Sequence, residues 1–227
     1  MLVGMNKLLS LTTLALITAG SASAQSVVYR QPLELGLTGG YAGGLSGEAF
    51  VHAPNVAGPV GIKAGVAVSK ASLNEGAQFG GATYGDLKRT AAASGTPITD
   101  GGTNTVVSLD GTYSLGELAP GVDATVYAGP RYGMFNRYVT FGSATTNFSS
   151  SAFGLGAGVM ASYALTPSTS IVGDLGADHF FNSGITASQG GVNDTLNPGD
   201  TGYDEMRSLT NVPGTQFKAR IGVKFGF

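Results

Sequence analysis

Thr215-Gln216-Phe217-Lys218-Ala219-Arg220-Ile221-Gly222-Val223-Lys224-Phe225-Gly226-Phe227 is the stretch that decides how this chain is read. Its odd positions from Phe217 to Phe227 are all apolar, and the even positions between them are Lys, Arg, Gly, Lys and Gly. Side chains of a β-strand point alternately to its two faces, so this is a strand with one apolar face and one cationic face. Three charges fix the register. A slip of one residue would carry Lys218, Arg220 and Lys224 together to the apolar side.

The same alternation recurs upstream. Leu33, Leu35 and Leu37 alternate with Glu34, Gly36 and Thr38, followed by a glycine-rich bend around Tyr41. Ala49 and Val51 lie opposite Glu48 and His52. Val60, Ile62, Ala64, Val66 and Val68 oppose Gly61, Lys63, Gly65 and Ser69. Val107, Leu109, Tyr113 and Leu115 oppose Ser108, Asp110, Thr112 and Ser114. Val122, Ala124, Val126 and Ala128 oppose Asp123, Thr125, Tyr127 and Arg131. Phe153, Leu155, Ala157, Val159, Ala161, Tyr163 and Leu165 oppose Gly154, Gly156, Gly158 and Ser162, and Ile171, Gly173, Leu175 and Ala177 oppose Asp174, Gly176 and Asp178. With the terminal stretch this makes eight strands. Short turns with Pro or Gly punctuation fall at residues 55–59, 116–121 and 166–170. Residues 70–104, 135–151 and 183–214 show no such alternation and are expected to be long polar connections, the first of them either a long loop or two strand extensions with a loop between. Short and long connections alternate, so the long ones share one side of the sheet.

Composition narrows the setting. Charged residues make up 11% of the chain, against roughly 25% in an ordinary soluble domain. Glycine contributes 37 of 227 residues, and a water-facing surface would need more charge than remains. The formal net charge is −2 and there is no basic run, which argues against a nucleic-acid partner. There is no cysteine, so disulfides, thiolate metal sites and lipid attachment through Cys are ruled out.

Residues 1–24 read as a secretory signal peptide. Lys7 is the basic n-region, residues 8–19 are apolar, and Ala22-Ser23-Ala24 forms a small-residue cleavage site before Gln25. The alternative, a membrane anchor, needs an apolar run of about 20 residues, longer than this one. Residues 25–32 are a short lead-in. No other apolar run of helical length follows, so a closed barrel is the route left into a membrane.

The polar faces collect Glu34, Glu48, Lys63, Asp110, Asp123, Arg131, Asp174, Asp178, Lys218, Arg220 and Lys224, while the opposite faces of these segments carry no charge. A charge facing lipid at mid-membrane costs about 2–4 kcal/mol, which accounts for an apolar face kept clear of charge. The expected fold is therefore all-β: a closed antiparallel up-and-down transmembrane barrel of eight strands over residues 33–227. The interior of such a barrel is just wide enough for its own side chains. Buried charges need partners, so the eleven are expected to form a luminal ion-pair network, with Gly154, Gly156 and Gly158 leaving room for Lys and Arg from other strands. Tyr113, Tyr163, Phe225 and Phe227 would form a periplasmic aromatic girdle, and Tyr41, Tyr132, Phe153, Phe181 and Phe217 an outer one.

A terminal Phe preceded by alternating apolar residues resembles the C-terminal signal of bacterial outer-membrane barrels. The whole of residues 33–227 resembles the small eight-stranded barrels of the OmpA/OmpX type, including the glycine-rich barrels of Deinococcus–Thermus bacteria. The resemblance implies the outer membrane of a diderm bacterium, with lipids of that membrane as surroundings and the secretion machinery as the way there. It also implies that the barrel-assembly machinery reads Phe217, Ile221, Val223, Phe225 and Phe227. The barrel pattern runs to the last residue, so the peptidoglycan-binding domain of full-length OmpA-type proteins is not expected.

The expected role is structural or surface-interacting, with a plugged lumen and exposed loops, and no enzyme activity or cofactor. One alternative is a narrow channel for small or hydrophobic solutes. Another is a lipid A-modifying enzyme, because His179 adjoins Asp178 and precedes Ser183; yet a triad is defined by geometry rather than by adjacency. The bland reading makes His179 a rim residue and His52 a luminal one. Asp194, Asp200, Asp204 and Glu205 gather in the last connection, but their spacing matches no EF-hand loop, and a solvated acidic loop with no metal is expected. No phosphate-binding or dinucleotide motif is present. The cleavage site carries the first prediction: N-terminal sequencing of protein recovered from the outer-membrane fraction should begin at Gln25, and an intact 8–19 segment there would refute it.

Overall fold

The structure, a computed structural model, describes residues 33–79 and 81–227. The signal peptide expected at residues 1–24 and the lead-in at 25–32 lie outside the described residues. The chain runs β1 (Glu34–Ala42), β2 (Leu45–Ala57), β3 (Val60–Ala71), β4 (Gln78–Phe79), β5 (Ala82–Thr83), α1 (Tyr84–Ala93), β6 (Ile98–Ala119), β7 (Val122–Phe141), β8 (Ala144–Thr166), β9 (Thr169–Phe180), β10 (Ile185–Gln189), β11 (Val192–Leu196), α2 (Tyr203–Thr210) and β12 (Thr215–Gly226). Eight of the strands form a ring in the order β1-β2-β3-β6-β7-β8-β9-β12, every neighbouring pair antiparallel. The first and last strands close it, with Glu34 opposite Gly226 and Ala42 opposite Lys218. The Phe227 amide donates to the Leu33 carbonyl at 2.9 Å, extending the seam by one more bond.

Burial is inverted relative to a water-soluble protein. Lys63, Asp110 and Arg131 are each 1% exposed, whereas Phe153, Phe217 and Ile221 are 69%, 74% and 66% exposed. The apolar face of every ring strand therefore points out and the charged face points in. An outer surface of Leu, Val, Ile and Phe is stable only against hydrocarbon. Closure then satisfies each backbone group without water, which hydrocarbon does not supply.

The strands outrun the membrane. β6 has 22 residues and β8 has 23, so each reaches about 70 Å at a rise of ~3.3 Å per residue. At a tilt of about 45° that still covers roughly 50 Å, against a hydrocarbon core near 30 Å. Residues 135–151, expected as a polar connection, are instead the upper half of the β7–β8 hairpin, turning at Gly142. The bend expected around Tyr41 is also strand, since β1 runs on to Ala42 and the turn falls at Gly43, whose φ of +63° suits glycine.

The two other long connections are partly ordered. In residues 70–104, Thr83 caps α1 by a reciprocal pair of bonds with Asp86, and Lys88 ties the helix to Asp100 of β6 at 2.7 Å and to Glu75 at 2.8 Å. These partners raise the Lys88 pKa above the ordinary lysine value. In residues 183–214, β10 takes over the edge of β8 from Ser150 upward, where β9 has left it, and β11 folds back onto β10.

Above the girdle the two faces exchange chemistry while keeping their parity. Inward-pointing residues become apolar: Val106, Phe135, Ala152 and Phe180 cluster with Val212 against them, and Leu73, Ala77, Tyr84, Phe148 and Leu209 form a second cluster higher up. Asn136, Ser149 and Ser151 point outward and are exposed. Water replaces hydrocarbon at that height, so the apolar side chains turn to the interior.

The β1–β12 seam is close-packed. A Cβ on Gly222 would stand 1.9 Å from the Leu37 carbonyl oxygen, a backbone atom that has no room to yield. Gly222→Val should therefore cut the yield of heat-modifiable folded barrel severalfold while Val66→Ala, on the outer face of β3, leaves it near normal, as gel mobility with and without boiling will show.

The charged lumen as candidate functional site

Three layers of side chains fill the ring. Nearest the short turns, Glu34 accepts from His52 Nδ1 at 2.7 Å and from Lys224 Nζ at 2.8 Å, and His52 Nε2 is 3.0 Å from the Thr112 hydroxyl. His52 is thus luminal. In the middle layer Glu48 is held between Lys63 at 2.7 Å and Arg220, and Arg220 also reaches Ser46 at 3.0 Å and Asp174 at 3.8 Å. In the upper layer Arg131 spans the lumen from Asp110 at 2.7 Å to Asp178 at 2.8 Å, and Lys218 joins Asp178 at 3.0 Å.

Aromatic and apolar groups pack between these pairs. Tyr127 donates its hydroxyl to Asp174, and its ring lies between two ammonium groups, Lys63 at 5.0 Å and Lys218 at 5.2 Å. Lys63 also stands 4.8 Å over Phe50. Phe50, Tyr127, Met160 and Val172 form one buried cluster. Such cation–π contacts are worth about 2 kcal/mol when desolvated, and they replace part of the hydration that the ammonium groups give up.

Glycines on the inner face make the room. A Cβ at Gly156 would lie 2.1 Å from the Asp178 carboxylate and 2.5 Å from Arg131 Nε; one at Gly158 would lie 2.3 Å from the Tyr127 hydroxyl. Gly154 faces the Phe180 ring and the His179 carbonyl rather than a cation. Ten of the eleven charges read from the sequence meet in this network. Asp123 does not. It sits opposite Glu117 and Ser162, next to the Val122 end of the β6–β7 hairpin, half-buried, and joins none of the pairs. Partly exposed at the barrel mouth, it keeps access to solvent and does not need a partner as the fully buried charges do.

The groups considered for a catalytic triad diverge. Asp178 points into the lumen, His179 Nδ1 is 2.8 Å from Thr215 Oγ1 on the outer side, and Ser183 shares a hydrogen bond with Ser150 at 2.9 Å. Asp194 lies on β11, Asp200 accepts from the Asn197 amide, and Asp204 and Glu205 occupy the first turn of α2. Among the described residues no three His, Asp or Glu side chains converge on a point that would hold a metal ion. The residue that the sequence reading missed is Arg137, buried inside the upper barrel. It continues the inward series Arg131, Gly133, Phe135, but that series had ceased to look like a transmembrane strand.

Removing Arg131 would leave Asp110 without its ion-pair partner and Asp178 with Lys218 alone. Breaking a buried pair costs about 3–5 kcal/mol. Arg131→Ala should accordingly lower the unfolding temperature in detergent clearly, and more than Ala128→Val on the lipid-facing side of the same strand.

No protein-family model matches the sequence, and no curated protein matches it. Among solved structures, a major outer membrane protein from Thermus thermophilus superposes with a TM-score of 0.78 and 31% identity, over 86% of this chain and 98% of that one. CarO from Acinetobacter baumannii covers 87% of this chain and 98% of its own, at 13% identity and a TM-score of 0.42. Neisserial surface protein A covers 86% and 94%, at 12% and 0.38. Likeness as faint as the latter two carries no argument. The Thermus protein, matched over nearly its whole length, does, and it agrees with an outward apolar face, an inward charged face and a ring closed by its terminal strand: the chain belongs to the family of that major outer membrane protein and is an integral eight-stranded β-barrel of a diderm outer membrane.

Proposed function

We propose that the protein is a non-enzymatic envelope barrel whose lumen is sealed and whose working surface is the sheet and helices above the membrane. The observation that carries this is the filled cross-section at Arg131, Asp110, Asp178, Lys218 and Tyr127. There each cation is matched by an acid, and the space beside Gly156, Gly158 and Gly176 is already occupied by side chains of Asp178, Arg131, Tyr127 and Lys218. A conductive path needs charged groups that ions reach through water. Here the carboxylates and ammonium groups are spent on one another.

Above the seal, the two apolar clusters and α2 add a further cover. By the build of outer-membrane barrels, the short turns face the periplasm and these taller elements face outward. Two features favour a surface role: β10–β11 project beyond the ring, and among the described residues β11 has a partner on one side only. The terminal strand has a second part in this reading. By resemblance, Phe217, Ile221, Val223, Phe225 and Phe227 present the pattern that the assembly machinery recognises before the barrel closes.

Planar-bilayer recording tests the seal. The refolded protein should show no steady ohmic conductance comparable with a porin, and Arg131→Ala should add only brief, irregular openings. Porin-like conductance from the unmodified protein would overturn the reading.

A further inference from the structure

One buried cation is left over from the luminal pairing. Arg137, in the upper part of β7, is 3% exposed. Its guanidinium donates to the carbonyl oxygens of Asn136 at 2.8 Å and of Thr103 and Asn211 at 3.3 Å, and among the described residues its Nε has no partner. No carboxylate pairs with it among the described residues, so its charge is buried without a counter-ion. Arg137 borders a cavity of about 430 Å³ at the outer rim, beside the β1–β12 seam. Asn104 and Gln216 line the same cavity, both buried, and each carries a side-chain oxygen without a partner. The cavity thus offers one cationic donor and two acceptors, all desolvated.

Tyr41 and Phe217 stand at its edge, and they also border a second hollow of about 500 Å³ on the hydrocarbon face just below. That hollow is lined by Leu175, Ala177 and Ala219. The register explains it: Tyr41 faces Ala219, which faces Leu175, and Phe217 faces Ala177, so small alanines lie between large neighbours. An apolar hollow open to the bilayer therefore adjoins a polar, cationic cavity at headgroup height, and the two share a pair of aromatic side chains.

We propose that this seam holds one outer-leaflet lipid with an anionic, hydroxyl-bearing headgroup. An acyl chain lies in the hollow between Tyr41 and Phe217. The phosphate or carboxylate enters the cavity and accepts from Arg137 Nε in a charge-assisted bond. Headgroup hydroxyls donate to Asn104 Oδ1 and Gln216 Oε1. A soluble anion would use the cavity and leave the hollow idle; an uncharged lipid would use the hollow and leave Arg137 uncompensated. A lipid that is both amphipathic and acidic satisfies the two together.

Native mass spectrometry of the refolded barrel, with phosphatidylglycerol and the phosphate-free lipid diacylglycerol as probes and glycerol 3-phosphate as competitor, tests the site. One phosphatidylglycerol should remain per barrel, and diacylglycerol should bind about tenfold more weakly, the effect of one charged hydrogen bond. Arg137→Gln should weaken phosphatidylglycerol by about the same factor and leave diacylglycerol unchanged. Ala219→Trp fills the hollow from the lipid side without touching Arg137, and should displace both lipids. Heat-modifiable mobility shows which variants are folded. If Arg137→Gln does not fold, the headgroup comparison and Ala219→Trp still decide. Equal retention of the two lipids, unchanged binding in a folded Arg137→Gln barrel, or undiminished retention in Ala219→Trp would overturn the proposal. Glycerol 3-phosphate competing as well as the whole lipid would also overturn it, by showing a site for free anions.

Discussion

Everything in this structure follows from the lack of water inside a bilayer. A backbone amide or carbonyl left unpaired in hydrocarbon costs several kcal/mol, so a spanning sheet has no room for an edge. The pairing of β1 with β12 removes the last one. Once the ring is closed, its circumference is set by eight strands, and an interior of that width is filled by the barrel's own side chains. The seam tolerates no side chain at Gly222, and three layers of charge follow from the parity that closure imposes. The apolar outer face and the charged inner face are two sides of one requirement.

Burying ten charges would be ruinous if they were isolated, and pairing alone does not make them stabilising. The lumen meets this with geometry. Arg131 bridges two acids, Asp178 accepts from two cations, and Glu48 is clamped between Lys63 and Arg220. Tyr127 separates two lysines and offers both its ring. Glycines opposite these groups bring strands and side chains close enough for short contacts. The inner face thus specifies one arrangement of strands, because a shift of any charge-bearing strand would leave a charge unpaired and a shift of β8 would move Gly156 and Gly158 away from Arg131, Asp178 and Tyr127.

The membrane half of the barrel was legible from sequence because hydrocarbon on one side and ion pairs on the other write the same contrast into every strand. Leu109 against Asp110 and Ile221 against Arg220 show it directly. The upper half was illegible for a physical reason. Above Tyr132 the outer surround becomes water, so Phe135 and Phe148 turn inward while Asn136 and Ser149 turn outward. The strand continues, but its code reverses, and a search for apolar-out alternation reads it as loop. Arg137 disappeared for the same reason. The helix α1 had left a signal, Thr83 three residues before Asp86 ahead of an alanine-rich run, which period-two scanning is blind to. Asp123 was placed by parity alone, and parity does not say how far along the lumen the pairing extends.

The three cations of β12 tie the charge balance of the lumen to the closing of the ring. Lys218 is matched to Asp178 on β9, Arg220 to Glu48 on β2, and Lys224 to Glu34 on β1. The other seven ring strands bring five of the network's acids and only two of its lysines and arginines, Lys63 and Arg131. A curved sheet that lacked its last strand would carry an excess of negative charge on the concave side, held in a medium that solvates it poorly. β12 supplies the missing positive charge to both flanks, so neutralising the lumen and closing the ring are one and the same pairing, and the terminal strand is a covalently attached counter-ion.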